Sequence, residues 1–205
     1  MIVRLQTANP VIYTVAMSKD SSGKYHQRLH ALDSTTGAEL HGGPVEITAT
    51  YPGTGGNGSG GKVVFNPAQY KARAGLLLSG ITVYIGWASH CDIRPYTGWI
   101  TGYNTGTLSQ TTVLNLTPNG KEGATWNSAA GMAADGNGNI FLLAANGTFD
   151  SALNASGFPI NGDYGNAFLR LSTKGGLLVT DYFDVKNEVS ENGNDIDLGS
   201  AGAML

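Results

Sequence analysis

Three short segments of this chain carry nearly the same pattern: "RAGLLL" at 73–78, "AAGMAA" at 129–134 and "SAGAML" at 200–205. An internal repeat constrains a fold more than any other sequence feature, because each copy must be a supersecondary unit that cannot bury its apolar face alone. The segments after the first two copies are also alike. A Ser-Gly turn leads from one into "ITVYIGWASH" (81–90), and "DGNG" leads from the other into "NIFLLAANG" (139–147). The third copy has no successor, while "NPVIYTVAMSKD" (9–20) has the look of the same second strand with no first strand before it.

Third strands follow at "QRLHALDSTTGAEL" (27–40), "TGWITGYNTGTL" (97–108) and "NAFLRLSTKGGL" (166–177), each closing on a Thr/Gly turn. Fourth strands read "GPVEITA", "TTVLNLT" and "LVTDYFDV", with β-branched and aromatic residues at the period-two spacing of half-buried strands. Four short strands per unit is the blade of a β-propeller. The expected fold is therefore all-β, a propeller of four-stranded blades with three blade-equivalents in one domain, 1–205. Blade 1 is expected from 11–50 plus 200–205, blade 2 from 73–117 and blade 3 from 129–185.

Composition agrees and narrows the function classes. Glycine at 30 of 205 residues and charged residues at 13% describe a turn-rich β chain. A 41% apolar fraction with a net charge of −3 excludes disorder. Twelve scattered Lys and Arg give no basic track for a phosphate backbone, so no nucleic-acid partner is expected. No apolar run approaches the ~20 residues of a membrane span, so no membrane partner is expected either. Cys91 is the one cysteine, which rules out an intrachain disulfide. The low-charge, Gly/Asn/Thr-rich make-up suits an exported parent protein.

"ALDSTTGAELH" (31–41) resembles the Ala-x-Asp-x-x-Thr-Gly repeat of quinoprotein-type propellers, with His41 near the position of that family's docking tryptophan. "GYNTGTLSQ" and "RLSTKGGLL" are degraded copies. The resemblance implies the propeller fold but not the quinone: those enzymes use a vicinal disulfide, which one cysteine cannot make, so no pyrroloquinoline quinone is expected. Such propellers have six to eight blades. Pairing of 200–205 with the 11–17 strand of a second copy would remove two open edges at once, so a homodimer with strand exchange, forming a six-bladed ring, is expected.

In propellers the strand two-to-three and four-to-one connections share the face around the channel. Here those are 18–26, 89–96 and 146–165, and 51–72, 118–128 and 186–199. In "SHCD", His90 and Asp92 share a strand face by the period-two rule and form a base-and-orienter or ligand pair; the plainer reading is that Cys91 packs and His90 hydrogen-bonds. In "NGNDID", Asp195 and Asp197 share a face and suit a hard cation, although Asn, Gly and Asp also make ordinary turns. Trp126, Asn127, Glu122 and Asn194 are the expected pocket residues around them. "DGNGN" (135–139) reads as a hairpin turn and "GTGGNGSGG" (53–61) as a flexible linker.

Two functions fit. One is a metal-dependent hydrolase of small esters, lactones or phosphoesters, similar at fold level to the calcium-dependent lactonases and phosphotriesterases on six-bladed propellers. Its His90 and Asp92 would be catalytic, and His90, Asp92, Asp195 and Asp197 would hold a divalent metal, calcium or zinc. The alternative is a non-catalytic binding or scaffold module with a sugar or peptide ligand.

Overall fold

The computed structural model of the chain describes residues 2–5, 10–128, 130–196 and 198–205. Its strands form three four-stranded antiparallel sheets in simple up-and-down order. Sheet 1 is β1 (Ile2–Leu5), β2 (Val11–Lys19), β3 (Tyr25–Asp33) and β4 (Val45–Glu46). A hairpin of β5 (Thr50–Pro52) and β6 (Lys62–Val64) follows, then β7 (Tyr70–Lys71), which pairs with the far end of β9. Sheet 2 is β8 (Leu77–Ser79), β9 (Thr82–Ser89), β10 (Trp99–Asn104) and β11 (Gln110–Asn115). Sheet 3 is β12 (Ala133–Ala134), β13 (Asn139–Leu143), β14 (Ala167–Ser172) and β15 (Leu178–Asp184), followed by a short helix, α1 (Glu188–Gly193).

The pleat sends alternate side chains to opposite faces, and sheet 2 uses both. Val83, Ile85 and Trp87 of β9 pack with Tyr13, Leu29 and Ala31 of sheet 1 and with Phe65 and Tyr70 of the insert. Tyr84, with Ile100 and Leu114, packs instead with Ile140, Leu142, Leu169 and Leu171 of sheet 3. Each such fully buried aliphatic or aromatic side chain stabilises the fold by about 1.5–3 kcal/mol. Sheet 2 is thus the middle of a three-layer stack, and the two outer sheets each keep one face turned away from it.

The repeated turn has a physical basis. Asp33 Oδ1 accepts from the backbone N–H groups of Thr35 and Thr36 at 2.9 and 2.8 Å, and Gly37 takes φ +73°. Asn104 makes the same turn in the degraded copy, accepting from Gly106 and Thr107. His41 is exposed, whereas its neighbour Leu40 packs against the core. Asp135 closes the 135–139 hairpin turn by accepting from the backbone of Asn137 and Asn139, as expected.

Two expectations are corrected. The inner edge of β2 is filled by the chain's own Ile2–Leu5, in register Ile2 to Thr14 through Leu5 to Val11. Residues 200–205 form no strand on sheet 1. They lie beside 127–128 and 130–131, where Ala203 N–H donates to Gly131 O, and a Cβ on Gly202 would sit 2.6 Å from Ala130 Cβ. Gly75 and Gly131 likewise form a parallel bridge in which a Cβ on Gly131 would sit 3.0 Å from Gly75 O. The Ala-Gly repeat therefore serves backbone close approach, for which only glycine leaves room. The edge that motivated strand exchange is occupied from within the chain. The second correction is 53–61: it is the packed tip of the β5–β6 hairpin, with Gly55 N–H on Pro118 O and Gly56 N–H on Gly120 O.

Candidate ligand cleft

Of the connections assigned to the channel face, 89–96, 118–128, 146–165 and 186–199 each bring residues to one place. They enclose a cleft of about 190 Å³ lined by Arg73, Asp92, Tyr96, Trp126, Ser128, Asn146, Asp195 and Ser200. Arg73 leaves β7 toward β8. Trp126 and Ser128 lie between sheets 2 and 3. Asp92 and Tyr96 come from the β9–β10 connection, Asn146 from β13–β14, and Asp195 and Ser200 from the segment after β15.

One wall is cationic and aromatic. The Arg73 guanidinium lies 5.3 Å from the centre of the Trp126 ring and donates to Ser128 Oγ at 2.6 Å. Trp126 meets Tyr96 edge to face at 6.5 Å. The opposite wall is acidic. Tyr96 OH donates to Asp92 Oδ1 at 2.6 Å, and Arg94 bridges Asp92 (3.1 Å) and the buried Glu122 (3.0 Å). Burial, reinforced by the Asp92 hydrogen bond and charge, pushes the Tyr96 hydroxyl above its ordinary value, so it stays a donor. Burial likewise raises the Glu122 carboxyl, opposed by Arg94 and Lys121 and helped by the Asp92 and Asp195 charges.

The back of the cleft is amide. Asn146, only 5% exposed, donates from Nδ2 to Asp195 Oδ1 at 2.5 Å, and its Oδ1 has no partner among the described residues. Asn127 is fully buried, donates to Ala201 O, and also leaves Oδ1 unpartnered among the described residues. A buried amide oxygen without a donor costs about 1–3 kcal/mol, and of these two residues Asn146 lines the cleft. Four non-glycine residues here sit in the left-handed region: Asp92 (φ +54°), Glu122 (+62°), Asn127 (+27°) and Asp195 (+55°). Such backbone is uncommon outside glycine and is held only where the surroundings over-determine it.

Of the residues expected from sequence, Asp92, Trp126 and Asp195 line the cleft, and Glu122 and Asn127 lie directly behind it. His90 does not. Residues 90–92 form a 3₁₀ turn with Cys91 at φ +51° and Asp92 at +54°, so the period-two rule fails and the two side chains diverge. His90 Nε2 lies 3.2 Å from Met17 Sδ, and burial with the Lys71 charge lowers its pKa. Cys91 is exposed, contrary to the packed position expected of it. Asn194 donates to Ser190 O and caps α1, away from the cleft. Asp197 lies outside the described residues. Among the described residues no three His, Cys, Asp or Glu side chains converge as metal ligands. Sequence reasoning misses Arg73, Tyr96, Ser128, Asn146 and Ser200, although every one lies in or beside a segment assigned to this face.

A quinohaemoprotein alcohol dehydrogenase, ADHIIG of Pseudomonas putida HK5, has a similar structure, with a TM-score of 0.55 at 14% identity over 85% of this chain. The match covers 25% of that chain, so the present chain spans about a quarter of its length. No family model and no curated protein matches the sequence. The likeness supports a propeller-like all-β architecture; at this identity it speaks to the fold alone.

Proposed function

We propose that the chain is a non-catalytic binding module whose cleft takes a small polyhydroxylated ligand of monosaccharide size. The observation that carries this is the nearly buried Asn146, which lines the cleft beside Asp195 and whose Oδ1 has no partner among the described residues. Asn146 and Asp195 offer acceptors, while Arg73 and Ser128 across the cleft offer donors. A hydroxyl both donates and accepts and so suits both walls. An ammonium only donates, and it would also face Arg73. The volume of about 190 Å³ lies below the roughly 300–1,000 Å³ of sites for drug-sized ligands, which favours a single ring.

The metal-dependent hydrolase is the weaker reading, because a cation needs carboxylates with free oxygens and convergent geometry. Asp92 is held by Tyr96 and Arg94, Glu122 by Arg94, and His90 faces Met17. Calorimetric titration with a panel of neutral monosaccharides and polyols, with and without a chelator, tests the proposal. Chelator-independent binding lost in both Asn146→Ala and Asp195→Ala is expected. Metal-dependent ester cleavage abolished by Asp195→Ala, or no polyol binding at millimolar ligand, would overturn it.

A further inference from the structure

Sheet 3 ends the stack, yet its far face is not finished as a solvent face. Ile140, Leu142, Leu169 and Leu171 point to sheet 2. The alternate positions Phe141, Leu143, Phe168 and Arg170 take the other face, and β15 adds Asp181 and Phe183. In register, Phe168 lies between Leu143 and Phe183, and Arg170 between Phe141 and Asp181. The Phe141 and Phe168 rings stack at 6.4 Å, Phe183 is 64% exposed, and a shallow depression of about 170 Å³ runs among them. A solvated face of an antiparallel sheet normally alternates to polar residues, and a contiguous apolar patch bordered by charges marks a contact surface.

We propose that this face is the interface between two copies of the chain, docked face to face about a two-fold axis. The far face of sheet 1 is the other free end of the stack, and it carries His26, Arg28, His30, Glu39 and Glu46 in ion pairs. Head-to-tail stacking would press those charges against three phenylalanines and strip their water, a cost that pairing rarely recovers. The same face on a second copy offers apolar surface to apolar surface, as the facing sides of sheets 2 and 3 already do. The charges fit as well. Arg170 and Asp181 sit side by side, 3.6 Å apart and largely exposed. A two-fold axis that lies in the interface plane and passes between them sets Arg170 against Asp181 of the partner subunit in two equivalent pairs.

Light scattering and sedimentation velocity on the whole chain test this. The expected mass is that of two chains of 21.3 kDa each, and Phe183→Asp should reduce it to one with an unchanged circular dichroism spectrum. Arg170→Asp and Asp181→Arg, each alone, should weaken association at least about tenfold by setting like charges together. Mixed one to one, the two variants should associate again as a heterodimer, a rescue that also stands in for Phe183→Asp should that variant not fold. A wild type of single-chain mass up to about 100 μM, an open series of higher masses, no rescue on mixing, or dissociation by Arg28→Glu but not by the sheet 3 variants would overturn the proposal.

Discussion

Sheets 1 and 3 close the two ends of one stack, and their far faces are opposite in kind. On sheet 1, β3 buries Gln27, Leu29 and Ala31 and turns His26, Arg28 and His30 outward, where Glu46 holds His26 (2.5 Å) and Arg28 (2.9 Å) and Glu39 holds His30 (2.5 Å). On sheet 3, β14 buries Ala167, Leu169 and Leu171 and turns Phe168 and Arg170 outward. The backbone alternation is identical, so the pleat decides only which positions face out. Residue choice then makes one end a solvent surface and the other an apolar one. Inward-facing positions are apolar in both sheets but for Gln27, whose amide donates to Tyr70 O.

The largest effect separates stacked from free faces. Trp87, fully buried between sheets 1 and 2 and donating to Thr101 Oγ1 at 3.0 Å, should cost about 3–5 kcal/mol when changed to alanine. Phe183→Ala on the free face should change monomer stability by no more than about 0.5 kcal/mol. Urea unfolding at low protein concentration measures both, and equal losses would mean that sheet 3 is covered from within the chain.

Acid titration distinguishes a charge beside the stack from charges at its end. Glu122 releases its proton less readily in the folded chain than in the unfolded one. Its ionisation therefore favours unfolding, and stability falls as pH rises from the ordinary carboxylate range through the raised folded value. Glu122→Gln should remove that slope and raise the melting temperature at neutral pH relative to wild type, read from thermal melts between pH 4 and 7.

The smallest effect lies on the far face of sheet 1. The Asp20 and Glu46 hydrogen bonds, in that order, raise the His26 pKa. Their contribution is complete below the unfolded histidine value and fades as pH rises through the folded one. By NMR titration, Asp20→Asn and Glu46→Gln should each lower the His26 pKa, with little change in stability because both carboxylates are exposed.

The blades are legible in the sequence because period-two alternation and Asx-type turns are local signals. Asp33, Asn104 and Asp135 each close a turn using atoms within four residues. The connections that meet at the cleft follow from the blade order. The features that escape the sequence depend on backbone that composition does not specify. His90 and Asp92 share a face only on an extended chain, and positive φ at Cys91 and Asp92 turns them apart. The Ala-Gly segments read as strand bodies, while Gly75, Gly131 and Gly202 act by permitting main chain to touch main chain, a long-range contact invisible to any window. Asn146 carries no signal beyond its place at the mouth of a loop; its orphaned oxygen is defined only once Asp195, 49 positions away, has taken its amide hydrogen bond.

The walls of the cleft are drawn from residues 73 to 200, so no single sheet contains it. Closing such a site requires loops of more than a hundred residues to be brought together, the kind of non-local contact that slows folding and completes late. Any occupant would bind a chain in which sheets 2 and 3 have met and not its earlier precursors, and would stabilise that assembly by mass action. The site then works as a proofreader of that joint: a copy whose last sheet has not docked has nothing to bind with.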